Sequence, residues 1–471
     1  MVTDRHAINA KIPAPDERFD TVVVGAGEAG TTAAIAAAKN GGSVLLIDEN
    51  PVRGELIGTD VPLYFGGRMT AAVQAPERMV EQLFASNPLL EQAFDAGVDV
   101  RLGTCAWGLY LNGPAMRALP EPLLGIADGA AARMVGFGRL LLATGARDVV
   151  LGFAGWDRAG VMGSQGFAAL LTRYDALASR RVLVVGSGDL ALDTALLAVD
   201  RGIEVAGIVE IADAMQGSAE LAKRIEASAI PLFLGHTIAE ARGGIDGVEQ
   251  AVLAQLTGDG RTSVDCDTII LAIGAIPATE LLDAAGTGPG DLIELVGDCA
   301  TVIRPHSAAL AAWAEALGRH APPETIVCQC EEVSRADLLG VQPPRYLDRP
   351  APMAARSLAT LLGDGPAHPD QIKRLTRAGM GACQGRRCRD QVACLLAAEQ
   401  RTTPDRVPVA SFRAPVRPIP LGILADWNEL PEMAAGWDVW FGIPTQWLPY
   451  AVIGTPQEAE MIASLPGNMH V

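Results

Sequence analysis

The residues in this sequence best suited to chemistry are cysteines. Five of the eight crowd into one stretch, as Cys328, Cys330, Cys383, Cys388 and Cys394, while Cys105, Cys266 and Cys299 are scattered. Eight cysteines in 471 residues are too few for a disulfide framework, and a cluster in a reducing compartment points to a metal or redox centre. Cys328-Gln-Cys330 is followed, after residues 331–382, by Cys383-Gln-Gly-Arg-Arg-Cys388. Four thiolates in two close pairs suit a two-iron centre, each pair holding one iron. Structural zinc also takes four cysteines. A Cys-x-Cys chelate is tighter than the usual zinc spacing, so [2Fe-2S] is favoured. Gly379, Gly381 and Gly385 let backbone N–H groups reach the sulfurs, and Arg386, Arg387 and Arg389 offset thiolate charge. Cys394, past the second pair, is expected to be a packed core residue.

A second kind of site is written in glycine. The strand TVVVGAGEAG runs into Gly25-Ala26-Gly27-Glu28-Ala29-Gly30 and then an Ala-rich helix, followed by SVLLIDEN. This is the context in which the motif holds a dinucleotide: Gly25 for the tight turn, Gly27 for close approach of the pyrophosphate, Gly30 for helix–strand packing. The helix N-terminus faces the diphosphate. Asp48, eighteen residues after Gly30, is placed for a ribose, and Glu28, Ala29 and Glu49 fall beside these contacts. Gly297-Asp298, after a strand, puts an acid where a flavin's ribityl hydroxyls would lie. With the glycine turns at Gly145 and Gly274, this makes FAD the expected dinucleotide.

The motif returns at RVLVVGSGDLALDTA, with Gly186 and Gly188 followed by Ala191. Glu210, nineteen residues on, would accept a free ribose and repel a 2′-phosphate. NAD, ATP or no exchangeable cofactor at all remain open for this second nucleotide site.

These elements imply an α/β chain with two Rossmann-like units, one inserted in the other, plus a small helical cysteine domain. The expected boundaries are 15–145 with 275–320 for the FAD unit, 146–274 for the insert, 325–400 for the [2Fe-2S] domain, and 401–471 for a Pro-rich, aromatic tail. Helices are expected in EEVSRADLLG, DQIKRLTRAG and RDQVACLLAAEQ. The loop 53–69 is either a lining loop where a flavin would pass or simply a loop, and Trp427, Trp437, Trp440, Trp447 and Tyr450 should staple the tail onto its own domains or onto a partner. Composition excludes other classes. With 37 basic and 55 acidic residues the net charge is −18, which repels phosphate backbones, so no nucleic-acid partner is expected. There is no apolar run of about 18 residues for a membrane span and no signal-like N-terminus, so a cytoplasmic location is expected. No Cys-x4-Cys or Cys-x2-Cys lies near the glycine motifs, which argues against a dithiol mechanism. No catalytic acid–base pair is evident, and the catalytic residues stay unknown.

Over about 400 residues the chain resembles the α subunits of heteromeric, dye-linked amino-acid dehydrogenases. That family includes opine oxidases, the hydrogen cyanide synthase B subunit, and proline and D-hydroxyproline dehydrogenase α subunits. It is also similar to part of the sarcosine oxidase α subunit. The carriers are VVVGAGEAGTTAA, LLATGA, ILAIGAIP, VGDCA, VCQCEEV, TRAGMGACQGRRC and, in the tail, RAPVRPIPLG. The resemblance implies that Gly25, Gly27, Gly30, Asp48 and Asp298 contact FAD. It implies that Cys328, Cys330, Cys383 and Cys388 ligate the cluster. It further implies a β flavoprotein subunit of amino-acid oxidase type that takes the hydride. Some members add a small ferredoxin-like γ subunit, and some hold an FMN between subunits. The chain departs from the family at Gly54-Glu55, where Gly-Gly-Gln is usual, and in its longer aromatic end.

The first functional reading is an electron-transferring subunit of an oxidoreductase acting on CH–NH substrates. The alternatives are a self-contained NADH-dependent flavin/[2Fe-2S] reductase of a protein acceptor, and a zinc-bearing assembly or sensing protein.

Overall fold

The computed structural model describes residues 14–51, 70–112, 119–342, 356–425, 455–457 and 460. The loop 53–69 and the aromatic residues from Trp427 to Tyr450 lie outside the described residues.

The first glycine motif sits where two parallel strands open. β1 (Glu17–Val24) leads through the turn into helix α1 (Glu28–Lys39), which returns to β2 (Val44–Asp48). β3 (Asp99–Leu102), β4 (Cys105–Tyr110), β5 (Leu123–Ala127) and β6 (Ala132–Leu142) complete the path β3-β2-β1-β6-β5-β4. Val22, Val23, Leu45 and Leu46 are fully buried, as strands covered on both faces require. The long β6 does two jobs. Its first half pairs antiparallel with β5, and its last three residues pair parallel with a strand some 150 positions later.

Between those two pairings the chain builds a second unit. β7 (Ala146–Asp148) leaves, β8 (Val161–Gly163) and β9 (Arg181–Val185) follow, and helix α2 (Asp189–Asp200) leads to β10 (Glu204–Glu210) and β11 (Leu232–Leu234). β12 (His236–Gly244), β13 (Gly247–Gln255) and β14 (Arg261–Asp265) form an antiparallel layer. β15 (Thr268–Leu271) re-enters the parallel sheet, in the order β11-β10-β9-β15-β8. β16 (Ala275–Pro277) then pairs antiparallel with β7, so the outgoing and returning strands zip together. β17 (Ile293–Leu295) rejoins the first sheet on β6.

Helix α3 (Ser307–Gly318) leads to the cysteine region. That region holds a two-stranded ribbon, β18 (Ile326–Cys328) with β19 (Val333–Ser334), and helices at Arg335–Leu339, Leu358–Asp364, Pro369–Thr376 and α4 (Arg389–Glu399). Three of these fall on the expected segments; the one at Leu358–Asp364 is additional. The region's own core gathers Val327, Leu338, Ile372 and Leu396 around Cys328 and Cys388. Cys394 is buried, and packs into a different core with Trp156 and Trp313. Among the described residues, no helix is long and apolar enough to cross a membrane.

The tail leans on the first sheet. Being Pro-rich it cannot form a core alone, yet Phe412 and Val416 are buried in the core of the first sheet.

Candidate functional site

A cavity of about 900 Å³ runs along the first glycine turn, lined by Gly25, Gly27, Glu28, Ala29, Gly30, Asp48 and Glu49. Gly145, Gly297 and Asp298 line it too. The structure thus brings all the FAD candidates to one hollow. Gly25 has φ +109°, and a Cβ there would stand 2.2 Å from the Ala143 carbonyl oxygen. At Gly30 a Cβ would stand 1.9 Å from the Gly25 oxygen. Gly27 differs: nothing lies within 4 Å of its would-be Cβ. The open space over Gly27, at the N-terminus of α1, is a cradle that fits a diphosphate.

Asp48 reaches the cavity from the tip of β2 and is already partly engaged. Its Oδ2 accepts from the Ala26 N–H at 2.6 Å, and its Oδ1 accepts from Asn50 N at 2.8 Å and Asn50 Nδ2 at 2.9 Å. The carboxylate is therefore locked in orientation, with lone pairs left for hydroxyl donors. Asn50 Oδ1 in turn accepts from the Tyr174 hydroxyl of the second unit.

Sequence reasoning misses several lining residues. Arg147 and Asp148 stand on β7, and Gln165 follows just after β8. Burial pushes the Asp148 carboxyl up, against hydrogen bonds from the Gln165 N–H (2.9 Å) and the Ser164 hydroxyl (2.8 Å). Arg386 and Arg387 come from the cysteine region, and Val416 and Arg417 from the tail. Sequence context marks Arg386 and Arg387 only as partners of the thiolates. Nothing in local sequence says that the loop carrying them also walls a distant cavity.

The four cysteines also meet. The Cys328 thiol touches those of Cys330 and Cys388, and the Cys330 thiol touches Cys383. No three His, Cys, Asp or Glu side chains among the described residues close around one point as ligands of a single ion. Cys328, Cys383 and Cys388 are almost wholly buried. The Cys328 thiol is pushed up, because the Cys388 contact and burial outweigh the lowering effect of Cys330. The Cys330 contact and burial push Cys383 up. Backbone N–H groups point at the sulfurs: Gly379 N lies 3.4 Å from Cys328 Sγ, and Gly385 and Arg387 donate to Cys383. Gly379 and Gly385 have positive φ, +84° and +78°, which directs these amides. At Gly381 a Cβ would stand 2.3 Å from the Cys330 Cβ. These buried sulfurs, each met by amide donors or neighbouring thiols, are a donor set that fits a cluster.

The cysteine region is clamped to the cavity by buried charge. Asp390, 1% exposed, accepts from Arg147 at 2.9 Å and pairs with Arg304. Arg147 also pairs with Glu280 at 3.1 Å. Burial works to lower the Arg147 guanidinium, but Asp390 and Glu280 hold it above its usual range. Replacing Asp390 with asparagine leaves two cations without their shared anion, and a broken buried pair costs about 3–5 kcal/mol. The expected result is a large drop in midpoint in a urea melt, with Cys394→Ala much milder.

The second glycine turn is arranged differently. Gly186 carries φ +107° and Gly188 opens α2, as in the first copy, and Ala191 is fully buried against the sheet. Glu210 is 2% exposed, however, and turned onto its own chain. Its Oε2 accepts from the Ser187 hydroxyl (2.6 Å) and its Oε1 from the Ala212 N–H (2.9 Å). Gln216 N donates to Ser187 Oγ (3.0 Å) and Ser218 N to Asp189 Oδ1 (2.6 Å). The segment 212–218 thus lies beside the turn, and Glu210, the expected ribose acceptor, is engaged by its own chain, while the space over Gly188 is as open as that over Gly27.

Comparisons with known proteins give two family matches and several relatives. Residues 346–427 match the sarcosine oxidase A3 domain. The chain is 26% identical to the opine oxidase A subunit of Agrobacterium tumefaciens (strain Ach5), over 88% of this chain and 92% of that one. It is 27% identical to the sarcosine oxidase alpha subunit of Rhizobium meliloti (strain 1021), over 86% of this chain but only 42% of that longer protein. Among solved structures, L-proline dehydrogenase from P. horikoshii is similar in fold, with a TM-score of 0.51 and 20% identity over 87% of this chain and 80% of that one. Residues 19–310, well over half of the chain and the part that forms both glycine turns, match the pyridine nucleotide-disulphide oxidoreductase family, and the chain belongs to it as an FAD-dependent oxidoreductase.

Proposed function

We propose that this chain is the flavin and iron–sulfur subunit of a heteromeric dehydrogenase or oxidase acting on CH–NH substrates, of the amino-acid, opine or N-alkyl amino-acid class. One observation carries the reading. The loop between Cys383 and Cys388 supplies two of the four thiols, and its middle residues, Arg386 and Arg387, line the dinucleotide cavity. One wall therefore serves both sites. FAD accepts electrons in pairs and a [2Fe-2S] centre takes them singly, so the two together convert one traffic into the other.

The protein's own part is placement and charge. Gly27 opens the diphosphate cradle, and Asp48 and Asp298 offer acceptors to sugar hydroxyls. Gly379, Gly385 and Arg387 aim amides at sulfur. Arg387, 5% exposed, lies with its guanidinium 5.4 Å from the Trp156 ring centre, between the thiols and the cavity. Burial pushes it down to about 10, while Cys383, Cys330 and Asp148 hold it up. Positive charge at this wall favours a reduced, negatively charged flavin. Two close cysteine pairs, one of them Cys-x-Cys, suit two irons better than one tetrahedral zinc. The substrate-oxidising step belongs to a partner flavoprotein of amino-acid oxidase type. A small ferredoxin-like partner and an interfacial FMN are further parts of the same reading.

The competing reading, an NADH-dependent reductase, keeps an open space over Gly188, and reduction by NADH decides between the two. Under anaerobic conditions the purified chain is expected to show flavin bands with broad iron–sulfur shoulders. Dithionite should bleach both, and NADH should leave the flavin oxidised. Rapid bleaching by NADH overturns the subunit reading in favour of a reductase, and zinc without iron overturns the cluster.

A further inference from the structure

The geometry points to Arg387 as one buried cation that sets how tightly both redox centres hold electrons, with Trp156 of the inserted unit as the residue that positions it. This rests on the cavity taking FAD and the four cysteines taking a cluster.

Arg387 belongs to both sites at once. It directly precedes Cys388, its backbone N–H donates to Cys383, and it lines the dinucleotide cavity. The groups that favour its charge are, in falling order, Cys383, Cys330, Asp148 and Cys388. Three of these are thiols of the cysteine set, and the fourth is the acid of β7 on the cavity wall. Two neighbouring arginines answer to other groups. Arg147 pairs with Asp390 and Glu280, and Arg389 lies with its guanidinium 3.0 Å from the Phe412 ring centre.

The inserted unit fixes where this charge sits. The turn that carries Trp156 is tied to β12, where Ala241 N donates to the Ala154 carbonyl at 2.8 Å. The indole is 1% exposed and touches both cysteine-bearing segments. Its ring centre lies 5.4 Å from the Arg387 guanidinium. Its Nε1 donates at 2.6 Å to the carbonyl of Ile326, two residues before Cys328. Glycine at 152 keeps room for this arrangement: a Cβ there would stand 2.8 Å from Trp156 Nε1 and from Gln391 Nε2 of α4. One ring thus holds Arg387 and the first cysteine strand in a fixed relation.

The consequence follows from charge. Each centre becomes more negative when it takes up electrons, and a guanidinium keeps its charge in proteins. In surroundings of effective dielectric about 20, one buried charge a few ångströms away shifts such an equilibrium by tenfold or more. Because Arg387 stands between the thiols and the cavity, it raises the electron affinity of both centres together.

The test is a redox titration of the full, cofactor-loaded chain, with the flavin followed by absorbance and the cluster by electron paramagnetic resonance. Arg387→Gln is expected to lower both electron affinities at least ~10-fold, which is ~59 mV for the one-electron cluster and ~30 mV for the two-electron flavin. Arg387→Lys should recover part of each shift. Trp156→Phe keeps a ring but loses the indole N–H, and should lower both potentials by a smaller step. Added to Arg387→Gln it should change neither further, because it acts through the guanidinium. Trp313→Phe, in the same core, should leave both potentials where they are. Unmoved potentials in Arg387→Gln, or a shift of the cluster alone, overturn the shared charge. An undiminished Trp156→Phe shift in the Arg387→Gln background, or an equal shift in Trp313→Phe, overturns the positioning role. If the variants do not fold or do not hold their cofactors, the unaltered chain decides. A buried cation is shielded from salt, so both potentials should hold between about 0.01 and 1 M salt, where the screening length falls from ~30 to ~3 Å. A tenfold loss of electron affinity at high salt assigns the effect to exposed charge and overturns the proposal. An unaltered chain without flavin or without iron overturns the two-cofactor reading itself, before any variant is made.

Discussion

Replacing Cys383 with alanine is expected to strip the iron from this chain while Cys394→Ala keeps it. Both cysteines are buried, 2% and 5% exposed, and they stand eleven positions apart, so exposure and locality do not separate them. Their neighbours do. Cys383 touches Cys330 and receives the Gly385 and Arg387 amides. Cys394 packs among apolar side chains with Trp156 and Trp313, and burial pushes its thiol up to about 12, which keeps it a neutral hydrophobe. Losing Cys394's sulfur costs about 1 kcal/mol of packing. Losing Cys383's sulfur removes a ligand, and cluster binding is folding free energy for a small region built around it. There is a second cost. Arg387 is buried beside Cys383, Cys330 and Cys388, and of these Cys383 does most to hold its charge, so its loss weakens the support of a buried cation. The cysteine region should therefore loosen, with iron at background and the broad visible bands gone. Iron per chain, measured beside flavin per chain, checks this. Iron retained at the parent level in Cys383→Ala would sink the ligand set.

How much of this is legible in the sequence follows from the range over which each signal acts. The two glycine turns are local statements. A strand, a positive-φ glycine and a helix occupy about fifteen residues, and β1–α1 and β9–α2 form where VVVGAGEAG and VLVVGSGDLA say they should. The three expected helices of the cysteine region are also local. The cavity is only half legible. Gly27 and Asp48 announce themselves, whereas Arg147, Arg386 and Arg417 reach it from three distant segments. Each lies in a stretch whose own pattern serves something else. Arg386 sits between cysteines, and Arg417 sits in a Pro-rich tail whose likeness to a family ending is visible but whose destination is not. Glu210 shows a different limit. Its position in the motif is right for a ribose, but the loop after it, Gln216 to Ser218, folds back beside the turn. Nothing in the motif itself encodes that return.

The sharpest test of the flavin site compares two neighbouring glycines that fail for different reasons. Gly27 has φ −69° and ψ 175°, a conformation any residue adopts, and open space where its Cβ would go. Gly27→Ala should therefore fold with stability changed by less than about 1 kcal/mol. Its methyl group, however, fills the cradle at the start of α1 where a diphosphate must approach the backbone, so flavin should be lost. Gly25→Ala should fail earlier. Its φ of +109° disfavours a Cβ, and the Cβ would press to 2.2 Å from the Ala143 carbonyl at the end of β6. Ala143 N donates to the Val24 carbonyl at 2.8 Å, so relief of the clash must part β1 from β6 at the centre of the sheet. Strain in the backbone alone is about 1–2 kcal/mol, and displaced central strands add more. The expected pattern is a folded, colourless Gly27→Ala and a poorly folded Gly25→Ala, read by urea melts and flavin content side by side. A yellow Gly27→Ala with unchanged FAD affinity would mean that the diphosphate does not lie over this turn. A colourless protein with an intact melt would then separate loss of the cofactor from loss of the fold, because the two glycines are two residues apart and only one of them is needed by the protein alone.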